Sequence, residues 1–272
     1  MEESPGGSAL ILRGRGISRG TAEGEAVLLD KPFSFLGGVD VRTGVLSKGS
    51  GAEGRSIKGK VFVFPNGRGS TVGSYTILQM RRDGTLPAAI VNRKAETIVA
   101  TGAVMAGLPL VDSIDISLIM DGDEAVVDGT QGTVELPKVE EHRVVTAILH
   151  CDERILILKR SDKVRTNKGM WAGVSGYIEE GEEPLQTAVK EIGEETQVRG
   201  AKLVMSGEPI SVRISGTIWR IYPFLFDVPD EKVTIDWEHT EYAWVHPSEL
   251  SKYQKVKGLG RVLENLGILP RS

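Results

Sequence analysis

Apolar positions along this chain follow two different rhythms. Up to residue 136 they come as short, β-branched runs cut by glycine, at 26–29, 59–64, 88–91, 114–119, 125–127 and 133–136. Such runs, punctuated by Asp-Gly pairs, predict strands and tight turns. Asp121-Gly122-Asp123 and Asp128-Gly129-Thr130 read as the turns of a meander. Helical periodicity is sparse here, with one candidate at 71–81 behind a Gly-rich loop and a weaker one at 95–107. A polar stretch with a proline, 137–142, then marks a boundary, giving expected domains 1–137 and 138–272. Beyond it the pattern predicts strands at 143–150 and 154–159. A helix at Pro184–Thr196 follows, then strands at 202–205, Ile210–Ile214, 217–226 and 242–245, and a short closing helix at 260–266. On the long helix Leu185, Ala188, Val189 and Ile192 fall on one stripe of a 3.6-residue period, and Pro184 suits its first turn.

Length and composition narrow the class. The 272 residues suffice for two ordinary domains, and the net charge of −4 gives no basic footprint for nucleic acid. The one cysteine, Cys151, forms no internal disulfide and cannot hold a zinc or iron–sulfur site alone. The start, MEESPGGSAL, has no basic and apolar signal-peptide pattern, and no apolar run is long enough to span a bilayer. A cytoplasmic protein with no membrane partner is expected.

Glu191, Glu194 and Glu195 are spaced i, i+3, i+4, which gathers three carboxylates on one helix face, on an arc distinct from the apolar stripe. They would repel one another unless solvated or bound to a hard divalent cation, Mg2+ or Mn2+. From the acids alone, a solvated helix face and a metal site both stay open.

In the first half, Phe62-Val-Phe-Pro-Asn-Gly67-Arg68-Gly69-Ser70-Thr71-Val-Gly73-Ser74 follows a strand and precedes a helix. Glycines admit a ligand close to the backbone, helix-start N–H groups attract anions, and Arg68 could clamp a carboxylate or phosphate. It is neither a P-loop nor GxGxxG, and a purely structural turn fits the same residues.

Two resemblances extend these readings. Gly176, Glu182, Glu191, Ile192, Glu194, Glu195 and Val198 match the spacing of the Nudix box, with Lys190 for the usual Arg and Gln197 for the usual Gly. The segments 170–176, 156–160 and 237–250 resemble its flanking strands and late loop, so that the likeness covers about residues 142–268. This resemblance implies metal binding by Glu191, Glu194, Glu195 and the carbonyl of Gly176, with Glu194 or Glu241 as general base. His239 and His246 are assigned to structure. The substrate would be a nucleoside diphosphate derivative or another diphosphate.

Residues 9–136 resemble the aconitase X swivel domain. The likeness rests on Gly14-Arg-Gly-Ile-Ser-Arg-Gly20, Ser34-Phe-Leu-Gly-Gly-Val-Asp40, the loop to Gly73, Ala88-Ala-Ile-Val-Asn92, Ala95-Glu-Thr-Ile-Val-Ala-Thr-Gly102 and Gly107-Leu-Pro-Leu-Val-Asp112. Archaeal members of that group are phosphomevalonate dehydratase small subunits. The resemblance implies that Ser70 accepts a proton during dehydration of 5-phosphomevalonate to anhydromevalonate phosphate, in an archaeal-type mevalonate pathway. Gly67, Arg68 and Gly69 would bind the substrate. The iron–sulfur cluster would sit in a separate large subunit, the heterodimer partner. Asp40 and Asn92 fit turn and capping roles.

The expected fold class is two-domain α/β: an aconitase-type swivelling β/β/α domain followed by a Nudix α/β/α sandwich. A bifunctional enzyme is the leading expectation, and a non-catalytic Nudix sensor on a dehydratase subunit is the alternative. The fusion by itself also suggests an isoprenoid diphosphate as the Nudix substrate.

Overall fold

The computed structural model describes residues 9–270; the opening stretch read for a targeting signal lies outside these as far as residue 8. The chain divides into two compact units between Glu140 and Glu141, inside the polar stretch 137–142.

The first unit contains β1 (Ala9–Arg13), β2 (Arg15–Ser18), β3 (Thr21–Leu28), a single turn α1 (Phe35–Gly38), β4 (Val61–Phe64), α2 (Val72–Asp83), β5 (Ala89–Asn92), α3 (Thr97–Ala106), β6 (Leu110–Asp112), β7 (Glu124–Asp128) and the first part of β8 (Thr133–Cys151). Strands β3 to β6 run parallel as neighbours, with β2 antiparallel on β6. Residues of β4, β5 and β6 are buried throughout, as parallel strands covered on both faces should be. That is why they appear in the sequence as unbroken apolar runs. Strand β7 turns antiparallel on β3 and leads to β8, which also pairs with β1. The β1–β8 register slips between Leu10↔Leu136 and Ala9↔Glu140, so Pro137 lies where the ladder is interrupted and its missing N–H costs little.

Helices α2 and α3 end on Gly84 and Gly107, both left-handed. Beneath them Phe33, Phe35, Phe62 and Phe64 pack edge-on or tilted in one cluster. The apolar run 114–119, expected as a strand, instead forms a 3₁₀ turn at Ile116–Leu118, capped by Asp115 accepting from Ser117 N–H at 3.1 Å. Its isoleucines are buried without a ladder. Two family-like stretches meet at Arg15 and Asp112, where the guanidinium donates twice, at 3.0 and 2.8 Å, to a fully buried carboxylate.

The second unit takes the rest of β8, then β9 (Arg154–Arg160), β10 (Trp171–Ala172), α4 (Pro184–Thr196), β11 (Lys202–Ser206), β12 (Ile210–Ile214), β13 (Thr217–Asp227), β14 (His239–Val245) and α5 (Leu259–Asn265). Strand β9 is flanked by β8, β10 and β14, while β13 joins β8, β11 and β12. Period-two alternation supplies two cores. Val144, Ile148, Ile155 and Ile157 face α5, and Val145, Ala147, Leu149, Leu156 and Leu158 face α4. Among the described residues no helix is long and apolar enough to cross a membrane.

Candidate functional site

Helix α4 forms where its periodicity places it, yet its buried face is rotated from the expected stripe. Ala188 and Ile192 are buried, whereas Leu185 is 38% and Val189 55% exposed. Thr187, Glu195 and Thr196 take their place in the interior. The helix therefore brings a carboxylate into its packed side, and the acids do not form an arc separate from the apolar one.

Glu195 is 3% exposed. One carboxylate oxygen accepts from Ser175 N–H at 3.4 Å, and the other, Oε2, has no hydrogen-bond partner. His239 is also buried; its Nδ1 lies 2.9 Å from Asp236 and its Nε2 lies 3.8 Å from Glu195 Oε2. Burial lowers the affinity of His239 for a proton, against the opposing pull of Asp236. Glu191 packs on Gly176 so closely that a Cβ there would fall 2.1 Å from its Oε1. Burial, then repulsion from Glu194, raises the Glu191 pKa to about 7, and burial with the Glu191 charge raises that of Glu195 well above the usual range.

Both carboxylates line a cleft of about 320 Å³, together with Arg160, Lys190, Glu238 and Gly176. Among the described residues no three His, Cys, Asp or Glu side chains converge tightly enough to form a ready metal cage. An unpartnered buried carboxylate oxygen beside a second destabilised carboxylate is nonetheless the donor chemistry that a hard divalent cation matches.

The other sequence candidates fall differently. Glu194 is exposed and acts on Glu191 by charge without lining the cleft. Glu241 is also outside the cleft lining; its carboxylate pairs with Lys159 at 2.6 Å on the exposed side. The acid of that segment that faces the cleft is Glu238, three positions earlier, and it adds to the repulsion on both Glu191 and Glu195. Glu238 lies just before β14, and a register shift follows in that strand between His239 and Glu241, so simple alternation does not announce which acid lines the cleft. Glu182 is held away from the chemistry: it accepts from Glu179 N–H at 3.2 Å and Thr187 Oγ1 at 2.9 Å, fixing the loop that enters α4. Gln197 adopts φ 55°, the left-handed C-cap that the usual glycine supplies freely.

In the first unit, Gly67, Arg68 and Gly69 run beneath Ser34. A Cβ on Gly67 would strike Val99 at 2.5 Å, and Gly69 sits at φ +107° against Ser34 Oγ. Arg68 lines a cleft of about 250 Å³ with Ser34, Leu36, Gly38 and Lys48. Ser70 is exposed and lies outside that lining, its Oγ accepting from Val72 N–H at 3.3 Å at the start of α2. Asp40 caps a turn through Arg42 and Thr43 N–H, and Asn92 is buried, donating to Phe64 O at 2.8 Å.

Comparison with known proteins separates the halves in the same way. Residues 11–136 match the aconitase X swivel domain, and residues 140–266 match the NUDIX domain. A phosphomevalonate dehydratase small subunit from Methanocaldococcus jannaschii is 55% identical over 125 residues, spanning 46% of this chain and 96% of the relative. The holo-form crystal structure of Thermococcus kodakaraensis aconitase X is 48% identical over 47% of this chain and 98% of that one, with a TM-score of 0.46. The solution structure of the E. coli ORF135 protein is 25% identical over 47% of this chain and 90% of that one, at a TM-score of 0.39. This is a two-domain α/β protein, an aconitase X swivel domain joined to a NUDIX domain. Through its first half it belongs to the family of phosphomevalonate dehydratase small subunits.

Proposed function

We propose that the second unit hydrolyses a phosphoanhydride bond with a divalent cation, Mg2+ or Mn2+. The observation that carries this is Glu195: a buried carboxylate with an orphaned oxygen, beside Glu191, on the floor of a cleft that also offers Arg160 and Lys190. Glu191 and Glu195 would hold the cation, with Gly176 O beside them and Glu194 acting on Glu191 by charge from outside the cleft lining. When bound, the cation neutralises phosphate charge and lowers the pKa of water. Arg160 and Lys190 draw the diphosphate in and orient it. Glu238, rather than Glu194 or Glu241, is placed to accept the proton of the attacking water. A non-catalytic sensor of the same ligand is the second reading, favoured by the position of Glu194 outside the cleft. Phosphate or pyrophosphate release across a diphosphate panel with Mg2+ separates the two: Glu195→Gln should abolish metal-dependent release, and tight binding without turnover would establish the sensor.

For the first unit we propose the role its relatives' name describes. With a cluster-bearing large subunit it would dehydrate 5-phosphomevalonate to anhydromevalonate phosphate, Ser70 taking the proton and Arg68 binding an anionic group of the substrate. An exposed serine is a weak base, so the partner must supply the environment that activates it. Exposed Leu36, Val72 and Tyr75, around Ser70 and Arg68, form the face that such a partner would cover. Co-expression with the large subunit tests this, and undiminished dehydration by Ser70→Ala would overturn the assignment. We place the domain boundary within the polar stretch 137–142, the expected 137/138 lying a few residues before the division of the compact units.

A further inference from the structure

The walls of the second unit's cleft differ in chemistry. The acids come from α4, from Glu179 in the loop before it and from the loop before β14, and Arg160 and Lys190 line the cleft with them. An apolar part of the wall comes from β8, β12, β13 and the segment before α5: Val144, Ile214, Trp219, Ile221 and Val256. These five belong to the apolar core under α5 rather than to the one under α4.

Two features of that wall bear on what it can hold. Four of its five side chains, Val144, Ile214, Ile221 and Val256, carry no hydrogen-bonding group. A nucleobase pressed there would lose water from its in-plane donors and acceptors without replacement, an unfavourable exchange. The aromatic rings also do not form a slot. Tyr177 and Trp219 lie 5.8 Å apart at 52°, and His142 packs against both, so no pair of parallel faces stands open for a flat ring. A hydrocarbon group makes no polar demand and gains from every methyl it buries.

Resting on the hydrolase reading above, we propose that the cleft takes a diphosphate monoester of a short branched hydrocarbon alcohol. The diphosphate sits by Glu191 and Glu195 and the hydrocarbon lies against Val144, Ile214, Trp219, Ile221 and Val256. In the reaction the water oxygen bonds to the terminal phosphorus and the bridging P–O bond breaks. The bridging oxygen leaves on the inner phosphate. The products are the monophosphate of the same alcohol, inorganic phosphate and one proton released to solvent. No oxidant or second substrate is required.

The test uses the full chain with Mg2+ and three probes: 3-methylbut-3-enyl diphosphate, methyl diphosphate and ADP-ribose. The branched ester should exceed both others in kcat/KM by about tenfold or more. Trp219→Ala should raise KM for the branched ester by about tenfold while leaving methyl diphosphate within about twofold. Ile214→Gln, at a partly exposed position, should do the same and guards against a Trp219 variant that fails to fold. A preference for ADP-ribose, or equal rates on all three probes, overturns the proposal and leaves the hydrolase standing. Absence of hydrolysis of every probe, followed as phosphate from the two esters and as AMP from ADP-ribose, removes the hydrolase reading and this proposal with it.

Discussion

Glu191 illustrates how one side chain links stability to chemistry. Burial, then Glu194, raises its pKa from 4.5 to about 7, so the folded chain holds a proton there that the unfolded chain has released. More protons on the folded state means that stability falls as pH rises between those values. Glu195 is shifted in the same direction. Metal-free protein should therefore lose thermal stability from about pH 4.5 to 7, and Glu191→Gln should flatten that slope in a melting-temperature series. Mg2+ added above that range should raise the midpoint, because only the folded state gathers the ligands. Gly176 offers a second residue-scale test. Its Cα supports the Glu191 carboxylate, and Gly176→Ala would set a Cβ 2.1 Å from Oε1. The carboxylate must move, and hydrolysis should drop by about tenfold or more in kcat. Gly176 and Glu191 were brought together in the sequence only by the resemblance to the Nudix box. The cleft-facing position of Glu238 was not legible, because Glu238 sits in a turn before β14, where its N–H donates to Asp236 at 3.1 Å and its carbonyl accepts at 2.7 Å from the N–H of Ser161, a residue distant in sequence.

At the scale of the element, α4 shows what periodicity can and cannot convey. Its ends were readable from Pro184 and from the run of helix formers to Thr196. Its buried face was not, because apolar periodicity assumes that carboxylates stay in water, and here the site requires Glu195 inside. Gln197 leaves a measurable trace of the same design. A non-glycine residue at φ 55° carries a backbone penalty that Gly would not. Part of the gain from Gln197→Gly is lost to greater freedom in the unfolded chain, so the net stabilisation should be about 0.5–1 kcal/mol by denaturant titration. In the first unit the parallel strands β3, β4 and β5 were legible as apolar runs, whereas β1, β2 and β6 were not. β1 and β2 pair with β8 and β6 across about a hundred positions, and the Arg15-Gly-Ile-Ser18 of β2 carries little apolar signal. The run 114–119 misled in the opposite sense: it is buried beneath loops, so it is apolar without being a strand.

For the whole molecule, each unit has its own core, the phenylalanine cluster in the first and the two faces around β8 and β9 in the second. Relatives of the first half are nearly covered by it alone, which indicates that this half carries its own folding information. The two proposed chemistries should accordingly separate by mutation. Glu195→Gln should abolish diphosphate hydrolysis and leave dehydration with the large subunit unchanged, and Ser70→Ala should do the reverse, both measured on one preparation. All four tryptophans, Trp171, Trp219, Trp237 and Trp244, lie beyond residue 140, and Trp219 forms part of the cleft wall. The protein is thus optically divided. Excited at the red edge of indole absorption, its emission reports on the second unit alone, with Trp219 positioned to respond as the cleft fills. A titration with diphosphate can then be followed in the full chain, while the phenylalanine-cored half contributes no indole signal of its own.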